Sequence, residues 1–217
     1  MIYTQLTFRP PKPTADFTGK TIIVTGANVG LGKEAVKHFV RLNAAKVIAT
    51  ARSLERGKAA LIEIEAETGR AGIAELWALD YSSYASVKQF CATIAELERV
   101  DAVVLNAGVG TPKFEIFEED ESTITVNVIS TVLLMLLVLP TLRTSATKWG
   151  IKPVLSVTGS AYHKSATFPE RDAPNSIEVL SDPKTAYMGE RYVASYPHLH
   201  VVAAHFGTGI QFLNYCK

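Results

Sequence analysis

A glycine-rich turn between a short β-branched run and a helical segment constrains the fold of this chain more than any other feature. The run is TIIVT at 21–25, the turn is TGANVGLG at 25–32, and helical spacing of apolar residues continues from Leu31 to Leu42. Glycine allows a tight turn and close approach of phosphate oxygens, which bind the free N–H groups at a helix N-terminus. The turn therefore predicts a pyrophosphate site formed by Gly26, Asn28, Gly30, Leu31 and Gly32.

Short β-branched runs and longer helical segments alternate beyond this turn. The predicted strands are 21–25, 46–50, 73–79, 101–108 and 153–157, and the predicted helices are 31–42, 54–68, 85–98 and 119–142. This alternation predicts an α/β fold, a doubly wound parallel sheet of the Rossmann type. Its C-terminal part is expected to be incomplete, because 161–185 is rich in loop-forming residues and only a short helix at 186–195 and a strand at 199–204 follow.

Length and composition indicate one globular domain. The chain has 217 residues, of which 47% are apolar and 20% charged, and its net charge of +1 does not favour nucleic acid as a partner. We expect an N-terminal arm at 1–17 and a single domain at 18–217. The two cysteines, Cys91 and Cys216, lack metal-ligand spacing, so no metal site is predicted, and they favour a reducing compartment.

The sequence also predicts a cytoplasmic protein without a membrane span. The N-terminus lacks the charged start and apolar stretch of a secretory signal. The most apolar run, Val132 to Leu139, is much shorter than the roughly 20 residues that cross a bilayer.

The spacing of the glycines resembles the TGxxxGxG turn of short-chain dehydrogenases/reductases. LNAG at 105–108 resembles the NNAG turn of that family, with Leu105 in place of the first Asn, and implies that Asn106, Ala107 and Gly108 lie beside the adenosine. Asp80 in WALD matches the acidic residue that contacts adenine, although alone it reads as a strand-end cap. Asn127 in VNVIS matches an asparagine that holds a water in the proton relay, although alone it reads as a satisfied core polar group.

The residues after the second predicted strand favour NADP(H) over NAD. An acidic residue there binds the 2′-hydroxyl of NAD, whereas an arginine accommodates a 2′-phosphate. This chain has Ala51 and then Arg52, so Arg52 is the predicted phosphate ligand, with a solvated surface charge as the alternative.

The resemblance implies a serine and a tyrosine as catalytic residues. VTGS at 157–160 resembles the end of the family's fifth strand and places Ser160 in the catalytic role. ERYVAS at 190–195 resembles the RYxxSK segment of a fungal branch related to retinol dehydrogenases, so Tyr192 is the acid–base residue and a further cofactor contact. The lysine position holds Tyr196, which carries no charge to lower the tyrosine pKa.

Three alternatives for the missing cation remain, namely Tyr187 with Arg191 at the same spacing, Lys164, and Lys184. The resemblance ends at Ser195, which is what a C-terminally truncated member, a shifted reading frame or a retained intron would produce. The expected function is the interconversion of a carbonyl and an alcohol on a small molecule, in fungal secondary metabolism. The alternative is a silent nucleotide-binding protein, and a homodimer through the fourth helix is the oligomer that the resemblance implies.

Overall fold

The computed structural model describes residues 13–159, 169–186 and 188. Its main sheet is formed by β1 (Thr21–Val24), β2 (Lys46–Ala51), β3 (Ala74–Ala78), β4 (Ala102–Leu105) and β7 (Val154–Val157). These five strands are parallel and lie in the order β3-β2-β1-β4-β7. In a separate antiparallel hairpin, β5 (Ile116–Phe117) pairs with β6 (Asp120–Glu121). The helices are α1 (Gly30–Arg41), α2 (Leu54–Thr68), α3 (Tyr84–Ala95), α4 (Ser122–Trp149) and α5 (Ser176–Ser181), with a 3₁₀ turn at Pro169–Asp172.

The sheet is covered on both faces, which confirms the doubly wound prediction. On one face, Ile22, Val24 and Val47 pack with Val36 and Val40 of α1. On the other face, a second cluster joins the sheet to α3 and α4; its members include Ile23, Ile48, Val87, Ile94 and Leu134. The alternation of adjacent β1 residues between the two clusters follows from the two-residue period of a strand.

The strand order reverses direction between β1 and β4. Chain order runs outward from β1 through β2 to β3, then returns to β4 on the opposite side of β1. In sheets of this type the crevice for a ligand lies outside the carboxyl ends of the strands at such a reversal. The topology therefore places the predicted glycine turn, which follows β1, at the expected ligand site.

The second βα unit follows its sequence signals closely. Ser53 caps α2 by accepting a hydrogen bond from the Arg56 N–H at 3.3 Å, and Gly69 ends the helix in the left-handed region at φ +69°. Lys37 connects α1 to α2, because its ammonium group lies 2.8 Å from the Glu67 carboxylate of α2 and 2.8 Å from that of Glu34 on α1 itself.

The region before and within α4 departs from the sequence prediction of one helix over 119–142. The β5–β6 hairpin occupies 116–121, and the helix runs from Ser122 to Trp149, past Pro140, to a left-handed Gly150. Residues Thr125–Ser130 form a π-helical turn inside it. The sequence signal for the true end is the glycine after Trp149, because glycine readily adopts the left-handed conformation that closes a helix.

The predicted loop at 161–185 also contains regular structure in its described part. Asn175 caps α5 by accepting a hydrogen bond from the Glu178 N–H at 3.2 Å, and the last residue of α5, Ser181, donates to Asp120 at 3.0 Å. Tertiary contact with the hairpin thus stabilises a helix that is too short to be stable alone.

The apolar run 132–138 belongs to a helix that is longer than the run itself suggests. By length and composition, the helix Ser122–Trp149 could cross a membrane. However, 61% of its most apolar 18-residue stretch is buried inside the fold, as in an ordinary core helix. Leu134, Met135 and Val138 face the core, whereas Leu136 and Leu137 are exposed. The exposed pair belongs to the helix through which the resemblance implies a homodimer.

Candidate functional site

A cleft of about 520 Å³ opens at the carboxyl ends of the strands. The predicted ligands that line it are Gly26, Asn28, Leu31, Arg52, Asp80, Asn106, Ala107 and Gly108. It is also lined by Val29, Thr50, Ala51, Leu79, Tyr81, Ser82, Val109, Val126, Thr158 and Gly159. The structure thus brings together segments that are separated by more than 100 residues along the chain.

The glycine turn brings the backbone close to its surroundings. Gly26 has φ +64°, and a Cβ atom there would lie 2.8 Å from the Ala107 Cα. Gly32 does not line the cleft; a Cβ on it would lie 2.3 Å from the Gly26 carbonyl oxygen and 2.6 Å from Asn106 Nδ2. Gly30 has φ +58° and faces open space. Gly26 and Gly30 therefore permit the turn, and Gly32 permits close packing of α1 on it.

The N-terminus of α1 fits an anionic ligand. Its N-cap residue is Val29, whose side chain makes no capping hydrogen bond. The first N–H groups of a helix have no intrahelical acceptor, and the helix dipole favours negative charge at this end. The α1 terminus therefore supplies uncapped donors beside the cleft, as a pyrophosphate requires.

Asn106 and Thr25 fix the turn after β4 to the glycine turn. The Thr25 hydroxyl oxygen accepts hydrogen bonds from the backbone N–H groups of Asn106 and Ala107 at 3.0 and 3.1 Å. The Asn106 side chain donates in return to the carbonyl oxygens of Thr25 and Gly26 at 3.2 and 3.3 Å. Asn106 is consequently a brace between two loops, and Ala107 and Gly108 form the cleft wall that it holds.

Arg52 stands at the end of β2, where the cofactor preference was predicted. It is exposed, lines the cleft, and directly precedes Ser53, the N-cap of α2. The α2 N-terminus thus adds its positive dipole end to the guanidinium charge, although Glu55 in the first turn opposes it.

Asp80 has a structural partner and still faces the cleft. Its Oδ1 accepts hydrogen bonds from the Ser82 N–H at 2.9 Å and the Ser82 hydroxyl at 2.7 Å. The strand-end cap expected from the sequence is therefore present. Asp80 can cap the turn and also line the cleft, because a carboxylate has two oxygens and only Oδ1 makes these two hydrogen bonds.

Asn127 is buried in the π-helical turn and contacts the glycine loop after β4. Its Oδ1 accepts from the Val109 N–H, and its Nδ2 donates to the Val109 carbonyl, both at 2.8 Å. The side chain is therefore a satisfied core polar group, the alternative left open by the sequence. π-helical turns are frequent at functional sites, and the proton-relay role of Asn127 stays a prediction.

The catalytic predictions fall at the edge of the described structure. Ser160, Tyr192 and Tyr196 lie outside the described residues, as do Tyr187, Arg191, Lys164 and the strand predicted at 199–204. Thr158 and Gly159, which precede Ser160, line the cleft. Lys184 is exposed and does not line it.

The sequence prediction gave no role to two residues that organise the site. Thr25 was read as the last residue of a strand and the first of the glycine turn, but its hydroxyl oxygen accepts hydrogen bonds from two backbone N–H groups of the opposite loop. Tyr81 follows the predicted Asp80, and its hydroxyl lies 3.1 Å from that of Thr25. The signal available for Thr25 was a hydroxyl residue directly before a glycine turn; no pattern marks Tyr81.

Fold and cleft together define a dinucleotide-binding α/β domain. The family model described as short chain dehydrogenase matches residues 20–166. The chain belongs to the short-chain dehydrogenase family.

The proteins that this chain resembles include short-chain dehydrogenases of fungi. A short-chain dehydrogenase of Penicillium roqueforti, anuD, is 45% identical over 194 residues, which are 89% of this chain and 51% of the relative. The short chain dehydrogenase/reductase dmxR8 of a Cryptosporiopsis species is 44% identical over 189 residues, 85% of this chain and 58% of the relative. The chain thus spans between half and three fifths of the length of these two proteins.

Solved structures share the fold. Pseudomonas aeruginosa RhlG, in an active-site complex with NADP, superposes with a TM-score of 0.64 at 22% identity, covering 92% of this chain and 72% of RhlG. At that identity the likeness shows the fold alone.

Proposed function

We propose that this chain binds NADP(H) and, as a short-chain dehydrogenase/reductase, interconverts a carbonyl and an alcohol on a small molecule. The observation that carries the proposal is the cleft at the strand ends, where an uncapped helix N-terminus, a glycine cradle and Arg52 meet. The fungal relatives support placing the substrate in secondary metabolism.

The residues present fit a dinucleotide. A side chain at Gly26 or Gly32 would fill the close approach between the glycine turn and the loop after β4. The α1 N-terminus would hold the pyrophosphate, Arg52 and the α2 N-terminus the 2′-phosphate, and Asp80 the adenine. When bound, the nicotinamide supplies or accepts a hydride.

The proton that accompanies the hydride is assigned to the predicted catalytic residues. Tyr192 would donate it to the alkoxide oxygen, and Ser160 would hydrogen-bond the same oxygen. A tyrosine hydroxyl has an ordinary pKa of about 10, so it needs a nearby positive charge to exchange protons near neutral pH. Tyr196 in the lysine position supplies none, which favours slow turnover.

Two measurements test the proposal in order. Titration of the purified chain with NADPH, followed by nucleotide fluorescence, should show saturable binding. NADPH oxidation across a panel of small aldehydes and ketones should then proceed above background and be abolished in Tyr192→Phe. Binding without turnover would contradict the enzymatic part, and absence of binding would contradict the whole proposal.

The tyrosine at position 196 favours a second candidate, a nucleotide-binding protein without catalysis. In that case Tyr196→Lys would create turnover in a protein that already binds NADPH. Turnover by the unchanged chain that is insensitive to this substitution would exclude the silent alternative.

The preference for NADP(H) has its own test in Arg52→Ala. Hydrogen bonds to a charged group contribute about 1.5–3 kcal/mol, so we expect the Kd for NADPH to rise about tenfold or more while the Kd for NADH stays unchanged. The matched control is Lys58→Ala, which removes an exposed positive charge from α2 outside the cleft. Equal weakening of both nucleotides by Arg52→Ala would refute the 2′-phosphate assignment.

A further inference from the structure

Tyr81 places a buried hydroxyl group in the floor of the cleft. It follows β3 by three residues, lines the cleft, and is only 5% exposed. Its ring packs in the buried cluster that contains Ile23 and Ile48. Burial raises the pKa of the Tyr81 hydroxyl above its usual value of 10, so the group is neutral at physiological pH and serves as a hydrogen-bonding group.

The Tyr81 side chain connects strands that are not neighbours. In the sheet, β2 lies between β3 and β1. The Tyr81 hydroxyl, in the segment after β3, donates a hydrogen bond at 3.1 Å to the hydroxyl oxygen of Thr25, at the end of β1. At its other end, the Tyr81 carbonyl accepts a hydrogen bond from the Ser130 hydroxyl at 2.6 Å, which fixes the residue to the π-helical turn of α4.

The Thr25 hydroxyl group is fully committed. Thr25 is 0% exposed, and its oxygen accepts the N–H groups of Asn106 and Ala107. The Tyr81 hydroxyl also donates to this oxygen, at 3.1 Å, so donors from the loop after β4 and from the segment after β3 converge on the Thr25 hydroxyl group. The Tyr81 contact thus holds the Thr25 side chain in the position from which it binds the loop after β4.

We propose that Tyr81 is a positioning residue for the dinucleotide, holding the Thr25 hydroxyl so that the loop at Asn106 and Ala107 keeps its spacing from the Gly26 turn. The inference rests on the proposed function, because that spacing matters only if a cofactor binds between the two loops. The tolerance is small: a single Cβ atom at Gly26 would already lie within 2.8 Å of Ala107. A cleft that is preformed at this distance binds without a cost for ordering the loops.

The test is Tyr81→Phe, which removes one oxygen and keeps the buried ring. We expect the Kd for NADPH to rise about three- to tenfold, the range that the loss of one buried hydrogen bond produces. Tyr84→Phe is the matched control, since Tyr84 lies on α3 and does not line the cleft. Its Kd should stay within twofold of the wild-type value. A lower thermal midpoint of Tyr81→Phe with an unchanged Kd would show a purely structural role and overturn the inference.

A double-mutant cycle with Thr25→Val locates the effect. Once the Thr25 hydroxyl is absent, Tyr81→Phe should change the Kd by less than twofold, because the two groups act through one contact. Additive effects on the Kd would overturn the inference. If Thr25→Val does not fold, Thr25→Ser serves as the background, and there Tyr81→Phe should again weaken binding. Failure of the wild-type chain to bind NADPH would overturn the proposed function as well, whereas binding that Tyr81→Phe leaves unchanged would overturn this inference alone.

Discussion

Replacing Gly32 by alanine would place one methyl group between α1 and the glycine turn. The new Cβ would lie 2.3 Å from the Gly26 carbonyl oxygen and 2.6 Å from Asn106 Nδ2. Ordinary contact begins at 3.4 Å, so the backbone neighbour must retreat by about 1 Å. The obstacle is backbone, so a change of rotamer cannot relieve it, and α1 must move away from the turn.

The expected loss of stability follows from overpacking, and the expected loss of NADPH affinity follows from displacement of the N–H groups at the α1 N-terminus. Inserting a methyl group into a tightly packed site costs about 1–3 kcal/mol, which for a domain of this size lowers the thermal midpoint by about 2–12 °C. Movement of the α1 N-terminus also misaligns the N–H groups proposed to hold the pyrophosphate. Each hydrogen bond to a charged group contributes about 1.5–3 kcal/mol, so we expect the Kd for NADPH to rise at least about tenfold.

The assay pairs nucleotide titration with thermal denaturation, and Gly69→Ala is the control. Gly69 closes α2 at the end opposite Arg52, does not line the cleft, and has φ +69°, a conformation that alanine adopts only with strain. Gly69→Ala should lower the midpoint and leave the Kd unchanged. A folded Gly32→Ala variant whose Kd stays within twofold of wild type would refute the assignment of the pyrophosphate to this helix end.

Further substitutions test the elements that support the site. Ser53→Ala removes the α2 cap and should lower the free energy of unfolding by about 1 kcal/mol, measured by denaturant titration. Asn127→Ala removes both hydrogen bonds to Val109, so it should lower the free energy of unfolding by about 1–3 kcal/mol and weaken NADPH binding. Unchanged stability would show that these two hydrogen bonds do not hold the loop after β4. The hydrogen bond from the Lys37 ammonium group holds the pKa of Glu67 in the folded protein below its ordinary value of 4.5. The Lys37–Glu67 pair therefore contributes fully to stability above pH 4.5, and this contribution is lost as the pH falls through the lowered pKa of Glu67. Glu67→Gln should therefore reduce the acid sensitivity of the thermal midpoint, and an unchanged acid profile would exclude the pairing.

The sheet was predictable from the sequence because its signals are local. Continuous β-branched runs such as TIIVT mark strands that are buried on both faces, and Ser53 and Gly69 mark the ends of α2 through their own side-chain and backbone chemistry. That the predicted cofactor ligands lie around one cleft was predictable for a related reason. Parallel strands present their carboxyl ends at one edge, so residues directly after β1, β2, β3 and β4 must meet there.

The parts that sequence reasoning missed depend on contacts between distant segments. The β5–β6 hairpin consists of two-residue strands and has no periodicity to detect. Helix α4 continues to Trp149, beyond the predicted end at Leu142, because the helix is packed against α3 and the sheet. The role of Tyr81 depends on a hydrogen bond between the segment after β3 and the end of β1, two strands that β2 separates in the sheet, and no local pattern encodes that order.

The hydrogen bonds of the cleft floor also extend to the end of β7, two residues before the predicted Ser160. Tyr81 contacts Thr25, Thr25 holds the Asn106 N–H, and the Thr158 hydroxyl donates to Asn106 Oδ1 at 3.4 Å. This series joins the ends of β3, β1, β4 and β7 in turn. Since Ser160 follows Thr158 by two residues, we expect a substitution that loosens the series at β3 to alter the support of the strand end before the predicted serine. Tyr81→Phe should then lower kcat as well as raise the Kd for NADPH, whereas Arg52→Ala, outside the series, should affect binding alone; an unchanged kcat in Tyr81→Phe would contradict the coupling.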